Sequence, residues 1–290
     1  MLSRIYKLLS YCYEDNAGDK LPSVELQLFL VGVKCLMPCE NEIGCYFDEH
    51  RYKKEVELLE CYKNGHDDSM EHYLKNERAS EKYDDLMEYK IIPAIVANTE
   101  WDMLINEALK SAVFYSTNKS TILNTILIAS TINEYLNSNI ENADDATKER
   151  LINFSLKDFS SWNNIQMNKE KLIDFEKERI KLISKAEIIS DEMKKNYKSL
   201  HYIYNETKNE KEEVVTESVL WNFSQYLFKL RKGIISPEKL KKSIENIPDI
   251  KEFLKYPTFN HPLLGRCKVL KRGGKEVILK NKSGLIKVIV

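Results

Sequence analysis

Apolar side chains recur at helical spacing through most of residues 86–136. Two stripes, separated by the polar turn Asn118-Lys119-Ser120, each follow the period of a helix that buries one face. The second stripe is apolar over more than one face, which is typical of a central helix. We therefore predict adjacent buried helices over 99–115 and 120–137.

The polar residues of this stretch predict where its helices begin. Pro93 is expected to end an extended entry segment. Thr99 is a favourable N-cap, and Asp102, three residues later, stands in the capping-box position. We expect the first of the two helices to start at Thr99.

Periodicity also predicts helices upstream. Two helices occupy residues 1–36, separated by a polar turn over 14–19, and the second begins near Pro22 and Ser23 because proline is favourable at an early helical position. The other upstream predictions are a loop over 38–45, a charged amphipathic helix over 48–62 and a short helix over 69–74.

Downstream, the polar segment 137–150 is expected to be a loop, with Phe159 and Trp162 packed beneath the turn that follows it. From residue 169 to residue 204, apolar positions keep an alternating three-and-four spacing for about five heptads. This spacing predicts one long helix. We favour packing of that helix across the body of the domain over pairing with a partner protein.

Two shorter helices are predicted next. Residues 214–230 form an apolar helix that ends at Lys232-Gly233, since glycine commonly follows a helix C-terminus. Ser236-Pro237 has the order of cap and proline that starts a helix.

The pattern changes after residue 262, where three short β-branched runs near 266–271, 275–280 and 285–290 are separated by glycine-containing turns. They predict an antiparallel meander packed on the helices through Val269, Val277, Ile278, Ile286 and Val288. Eight Lys or Arg and one Glu lie in residues 266–290. These cations are expected to solvate the outer face and protect the sheet edges, although binding of an acidic partner is an alternative. Nucleic acid is not an expected partner because no aromatic platform accompanies the charge.

Composition fits a globular protein with a helical domain over residues 1–262 and a basic β tail over 263–290. The 290 residues are 43% apolar and 31% charged, with 9 glycines and a net charge of −1. No apolar run approaches the roughly 20 residues that span a bilayer. The first residues are too charged for a signal peptide, so we expect a cytoplasmic protein with no membrane partner.

Two patterns that could indicate metal sites are weak. Cys35, Cys39 and Cys45, with His50 or Cys61, contain only one closely spaced pair, whereas structural zinc sites usually use two. His66-Asp67 is a dipeptide of metal phosphohydrolases, but it follows Asn64-Gly65, which is typical of an exposed turn. We predict no metal and no cofactor from either pattern.

The central stretch resembles the ADP-ribosylglycohydrolase family. The run Lys90-Ile91-Ile92-Pro93 stands where that family has an Arg-to-Pro element. Ser111 and Ala112 match a Ser-Ala pair at the right distance, and Tyr115 and Ser116 replace a Thr-His pair. The order, spacing and flanking helices are similar, which implies a mainly α fold of this type with a small C-terminal antiparallel β meander.

The residues that would hold the magnesium of this family are mostly replaced. Pro22, Ser23 and Val24 stand where the resemblance places Asp-Asp-Thr, with Glu25 beside them. One carboxylate cannot replace a pair for a divalent ion, which must shed water for charged ligands.

The second metal motif is degraded as well. Only Asp249 stands where the resemblance places a carboxylate, and Lys251 stands where it places another. A lysine ammonium repels a divalent cation.

The resemblance therefore implies a catalytically inactive relative that binds a partner protein or an ADP-ribose-like ligand. No catalytic or metal-binding residue is predicted. By family position, the weak ligand-binding candidates are Ser23, Glu25, Lys90, Tyr115, Ser116 and Asp249. Two alternatives remain: an active ADP-ribosyl hydrolase with relocated metal ligands, and a helical adaptor unrelated to the family.

Overall fold

A computed structural model describes residues 1–13, 21–207, 218–235 and 249–290. The chain is mainly helical, with a four-stranded antiparallel sheet at its C-terminal end, as predicted. The longer helices are α1 (Leu2–Cys12), α2 (Val24–Lys34), α3 (Glu49–Glu60), α4 (Asp68–Asn76), α5 (Met87–Ala97), α6 (Trp101–Val113), α7 (Lys119–Leu136), α8 (Ala143–Asn153), α9 (Leu156–Trp162), α10 (Lys169–Ile183) and α13 (Val219–Arg231). The short ones are α11 (Asp191–Asn196), α12 (Lys198–His201) and α14 (Ile250–Phe253), with a 3-10 turn (Ile140–Asn142) and a π-helical turn (Tyr202–Glu206). The strands are β1 (Leu36–Pro38), β2 (Cys45–Phe47), β3 (Thr258–His261), β4 (Gly265–Arg272), β5 (Glu276–Asn281) and β6 (Gly284–Ile289).

The fully buried helix α5 organises the helical body. It packs against α2, α6, α7 and α13, and every one of its residues is buried. Arg231, at the end of α13, donates to the carbonyl oxygens of Ile95 at 3.4 Å and Val96 at 3.3 Å. Because a cation near the last carbonyls of a helix is favourable, this buried guanidinium acts as a C-terminal cap for α5. Burial lowers the pKa of Arg231 to about 10.

The two predicted central helices are confirmed as α6 and α7, which pack on each other and on α5. Asn118 caps α7 by accepting from the backbone N–H of Ser120 at 2.9 Å. The predicted Thr99 cap is wrong, because α6 begins after Glu100, which makes no side-chain cap. The hydroxyl of Thr99 instead donates to the carbonyl oxygen of Arg231 at 3.3 Å.

The predicted extended segment before Pro93 is also wrong, because Pro93 lies inside α5. A proline in a helix lacks the N–H that would bond to the carbonyl four residues earlier, here that of Tyr89. The hydroxyl of Tyr13 donates to this carbonyl at 3.1 Å. This contact, 76 residues away in sequence, supplies the missing donor.

One polar segment forms a helix that the pattern did not predict. Residues 143–153 are helix α8 rather than part of a loop over 137–150. Thr147 donates to the Ser130 hydroxyl at 2.6 Å, and Arg150 donates to that hydroxyl at 2.7 Å and to Glu134 at 2.6 Å. Polar side chains that pair with α7 need not face water, so their polarity did not indicate a loop.

The long helix predicted over 169–204 is wrong, because α10 ends at Ile183 and two short helices follow. Residues 184–190 form turns and bends between α10 and α11, so the buried Ile188 and Ile189 lie in this connection and not on a continuous helical face. Ser190 then caps α11 by accepting from the Met193 N–H at 3.3 Å.

Other upstream predictions have mixed outcomes. Helices α2, α3 and α4 are confirmed, and Ser23 and Asp48 are the caps of the first two. The loop predicted over 38–45 connects the paired strands β1 and β2. Phe159 is buried as expected, whereas Trp162 is 80% exposed, so its predicted packing is wrong.

The C-terminal sheet has the order β3-β4-β5-β6 with every pair antiparallel. It contains the three predicted strands and β3, which the sequence did not indicate. Its inner face packs on α2 and α3, and the backbone N–H of Ile289 donates to the Cys61 carbonyl at 3.1 Å. Of the predicted apolar contacts, Val277, Ile286 and Val288 are buried and Val269 is half-buried against this cluster. Leu279 takes the inward position in place of the half-buried Ile278, which lies on the other face.

The helix confirmed as α13 ends where Lys232-Gly233 predicted, with Gly233 at φ +65°. The start of the prediction over 214–230, the turn over 14–19 and the helix at Ser236-Pro237 lie outside the described residues. No helix within the described residues has the length and apolar character needed to cross a membrane.

Candidate functional site

Lys90 lies at the centre of a fully buried polar cluster. Its ammonium donates to both carboxylate oxygens of Asp84, each at 2.8 Å. A second carboxylate, that of Asp67, approaches the ammonium at 2.8 Å from another direction. The same nitrogen lies 4.0 Å from the centre of the Tyr115 ring. One cation is therefore enclosed by two carboxylates and the face of an aromatic ring.

Local structure holds the two carboxylates in place. Asp67 is the N-cap of α4, and its Oδ1 accepts from the backbone N–H groups of Ser69 at 3.0 Å and Met70 at 3.1 Å. Asp84 precedes α5 and accepts from the backbone N–H of Leu86 at 3.1 Å. Each aspartate therefore stabilises a turn of backbone as well as the ammonium.

The cluster contains one more acid than base. Burial raises the pKa of Asp84, since desolvation disfavours its charged form, and the neighbouring Asp67 adds to this effect. The opposing influence of the Lys90 ammonium is smaller than that of burial. The net effect is a pKa of Asp84 above that of a free aspartate.

Tyr115 and Ser116 complete the cluster from the end of α6. The Tyr115 hydroxyl donates to that of Tyr52 at 3.0 Å, and burial raises the pKa of both phenols. Ser116 donates to the carbonyl of Lys82 at 2.5 Å and lies 3.3 Å from the Thr121 hydroxyl. Thr121 in turn accepts from the backbone N–H of Asp84 at 3.2 Å.

Three of the six predicted candidates, Lys90, Tyr115 and Ser116, thus come together. All three are buried, and their polar atoms bond within the protein. Such a cluster braces α4, α5 and α6 against one another. Nucleophilic attack or acid-base work on a substrate requires access from outside, which these atoms do not have.

The other three candidates lie at helix N-termini. Ser23 caps α2 by accepting from the Leu26 N–H at 3.4 Å, and the half-buried Glu25 lies in the first turn of the same helix. Asp249 caps α14 by accepting from the Lys251 N–H at 3.0 Å. Ser23 and Asp249 satisfy free backbone donors, and the negative charge of Glu25 is favourable near a helix N-terminus, so each of the three has a structural role.

The cysteine and histidine patterns do not assemble into a metal site. Over the described ranges, the structure contains no group of three or more His, Cys, Asp or Glu that could hold a metal ion. All six cysteines are free thiols, and four of them are buried. The exposed His66 contacts Asp68 at 2.5 Å and Glu71 at 2.9 Å, and these carboxylates raise its pKa.

An open cleft lies on the other side of α6, between α6, α8 and α9. Its volume is about 820 Å³, within the range of small-molecule and peptide sites. Four aromatic side chains, Trp101, Phe154, Phe159 and Trp162, contribute to its walls. Trp162 is the most exposed of them, so one of its ring faces is available for contact.

The cations of the cleft are already paired. The Arg150 guanidinium lies 4.2 Å from the centre of the Trp101 ring and also binds Glu134. Lys110 contacts Glu107 at 2.8 Å. The exposed carboxylates of Asp102, Glu149 and Asp158 have no cation within 4.0 Å among the described residues. The unneutralised charge of the lining is therefore negative.

Sequence reasoning missed this cleft. Trp101 falls on the buried stripe predicted for 99–115, and Trp162 is predicted to pack beneath a turn, so neither residue indicates an open cleft. The cleft depends on α8, and the polar composition of that segment does not predict a helix.

Comparisons with protein-family models, curated proteins and solved structures find no match to this chain.

Proposed function

We propose that this protein acts by binding a partner protein in the cleft between α6, α8 and α9, and that it does not hydrolyse ADP-ribosyl linkages. The observation that carries the proposal is the burial of Lys90, Tyr115 and Ser116. Their positions are those the resemblance assigns to ligand binding, yet all three are buried in internal contacts. The body is then that of a divergent ADP-ribosylglycohydrolase-like protein whose core polar residues have become structural.

The side chains that line the cleft favour a basic, partly apolar peptide segment as the ligand. Aromatic side chains provide large contact areas at low entropic cost, which is why they dominate binding sites. Three carboxylates without cationic partners complement a Lys or Arg on the segment, and such complementarity steers association. An exposed tryptophan can also stack on a guanidinium.

An ADP-ribose-like ligand is the second candidate. The exposed ring of Trp162 favours it, because adenine could stack there. The pyrophosphate of such a ligand would, however, face the carboxylates of Asp102, Glu149 and Asp158. Charge therefore favours the peptide.

A displayed library of random short peptides, selected against the full chain, tests the proposal. We expect enrichment of peptides that combine Lys or Arg with aromatic or aliphatic residues. Selected peptides should bind Trp162→Ala at least about tenfold more weakly, since aromatic anchors of this kind are worth more than 1 kcal/mol. They should also lose affinity for the triple variant D102N/E149Q/D158N.

A matched triple variant controls for net charge. Glu60, Glu192 and Glu252 are exposed carboxylates outside the cleft lining, so E60Q/E192Q/E252Q should bind the selected peptides as the natural chain does. Equal losses in the two triple variants would contradict the cleft as the site. Displacement of the peptides by ADP-ribose would favour the second candidate.

A further inference from the structure

The outer face of the C-terminal sheet carries a concentration of positive charge. Inward positions such as Cys267, Val277 and Leu279 are buried, so the residues alternating with them face solvent. The exposed cations on β4 and β5 include Arg266, Lys268 and Lys280. Lys268 and Lys280 are direct cross-strand partners.

Like charges directly opposite each other destabilise a sheet. The repulsion between Lys268 and Lys280 is therefore a cost of the fold, which a bound anion would relieve. The charge is local as well, because residues 266–290 hold eight Lys or Arg and one Glu although the whole chain has a net charge of −1.

These cations surround a concavity at the end of the sheet. Its volume is about 690 Å³, and its lining includes Arg266, Lys268, Lys280 and Lys282 but no carboxylate. None of the four has a carboxylate within 4.0 Å among the residues that the structure describes. Lys287, outside the concavity, is by contrast 3.8 Å from Glu276.

The turn that presents Lys282 is fixed by hydrogen bonds. The Asn281 side chain donates to the Leu264 carbonyl at 3.1 Å and accepts from the Ser283 N–H at 2.9 Å. It thereby joins the β5–β6 turn to the residues just before β4. The four cations are thus mounted on strands and on a pinned turn.

We propose that this concavity binds a ligand carrying two or more clustered phosphate groups. Arginine and lysine are the usual phosphate-binding residues, the first through a planar fork and the second as a point charge. Thr258 and Asn281 add polar groups to the lining. The volume suits a compact polyphosphate, either free or as the headgroup of a phosphorylated lipid. A nucleic-acid strand is less well matched because no aromatic ring lines the concavity.

Isothermal titration calorimetry of the full chain with inorganic tripolyphosphate tests the proposal. Binding should weaken at least about tenfold in R266Q/K268Q/K280Q/K282Q, because four charge-assisted contacts are removed. It should persist in K157Q/K169Q/K195Q/K229Q, which removes four exposed lysines from α9, α10, α11 and α13 and has the same net charge as the site variant. The site variant should melt no lower than the natural chain, since cross-strand repulsion is relieved.

Vesicles containing a bisphosphorylated inositol lipid form a second arm, with phosphatidylserine vesicles as the reference. The proposal is supported if binding of either phosphate ligand depends on the four cations. Comparison of the two arms distinguishes a free polyphosphate from a lipid headgroup. The proposal is overturned if neither ligand binds, or if both quadruple variants lose binding equally. Tighter binding of a short DNA duplex than of either ligand would overturn it in favour of a nucleic-acid surface.

Discussion

The ammonium of Lys90 donates to both carboxylate oxygens of Asp84 at 2.8 Å, with both side chains fully buried. Because the two residues lie on either side of the start of α5, the contact closes the first turn of the central helix. Asp67 ties the same ammonium to α4. Lys90, a predicted ligand-binding residue, thus holds helices together.

Replacing Lys90 with Met should destabilise the protein by about 3–5 kcal/mol, because it leaves buried carboxylates without a counter-charge. Urea unfolding at neutral pH measures the change. The double variant K90M/D84N should recover part of the loss, since it removes one of the two carboxylates.

Lys171→Met is the matched control for that substitution. Lys171 also pairs with a carboxylate, that of Glu81 at 2.6 Å, but both side chains of this pair reach solvent. Its loss should cost no more than about 1 kcal/mol. Equal effects at the two positions would show that the Lys90 cluster is not a structural brace.

The stability of the natural chain relative to Asp84→Asn should fall as pH rises above about 4. Burial raises the pKa of Asp84 above its ordinary value of 3.8, so the folded chain holds a proton that the unfolded chain has released. The stability from this proton is present below pH 3.8 and is lost as pH rises through the raised pKa. Denaturation curves of the natural chain and of Asp84→Asn at several pH values measure the difference between their free energies of unfolding. A difference that grows with pH would mean that attraction to Lys90 outweighs burial and the neighbouring Asp67.

Tyr13→Phe should cost about 1–3 kcal/mol, since it leaves the buried carbonyl of Tyr89 without a donor. In the background of Pro93→Ala the cost should shrink, because residue 93 then supplies a helical N–H to the same carbonyl. Thermal or urea unfolding of the four chains in this cycle gives the coupling. Additive effects would contradict the assigned role of the Tyr13 hydroxyl.

The sheet should contribute to stability through its inner face. Leu279→Ala removes a fully buried side chain and should cost about 2–5 kcal/mol. Ile289→Ala, at a position 60% exposed on the same sheet, should change stability by less than about 0.5 kcal/mol. Deletion of residues 263–290 should lower the melting temperature. An unchanged melting temperature after deletion would mean that the sheet is not part of the folded core.

The elements predictable from sequence are those whose own side chains determine them. Helices α6 and α7 carry apolar stripes that can only be buried, and the tail alternates between turns and β-branched runs. Their existence follows from local pattern. The mainly α fold with its C-terminal meander could therefore be predicted from the sequence.

The predictions fail where a residue far away in sequence supplies a hydrogen bond that the local sequence cannot make. Glu88 caps α12 by accepting from the Lys198 N–H at 3.0 Å and the Ser199 N–H at 2.7 Å, more than a hundred positions away. Tyr13 permits Pro93 inside α5 in the same way. No local pattern contains these contacts.

The candidate site was predictable only in part. Lys90, Tyr115 and Ser116 do meet in space, although as a buried brace. Asp84, which contacts Lys90, belongs to no motif, and Asp67 belongs only to the His66-Asp67 dipeptide, which indicates a metal site and not a buried ion pair. The cleft could not be predicted without α8.

The most direct test of a binding rather than a hydrolytic role is release of ADP-ribose from an ADP-ribosylated protein by the purified full chain with magnesium. We expect no release above that in buffer, because the core residues at the family positions are buried and internally bonded. Release that disappears when a chelator removes the magnesium would contradict the account and establish an active hydrolase with relocated ligands.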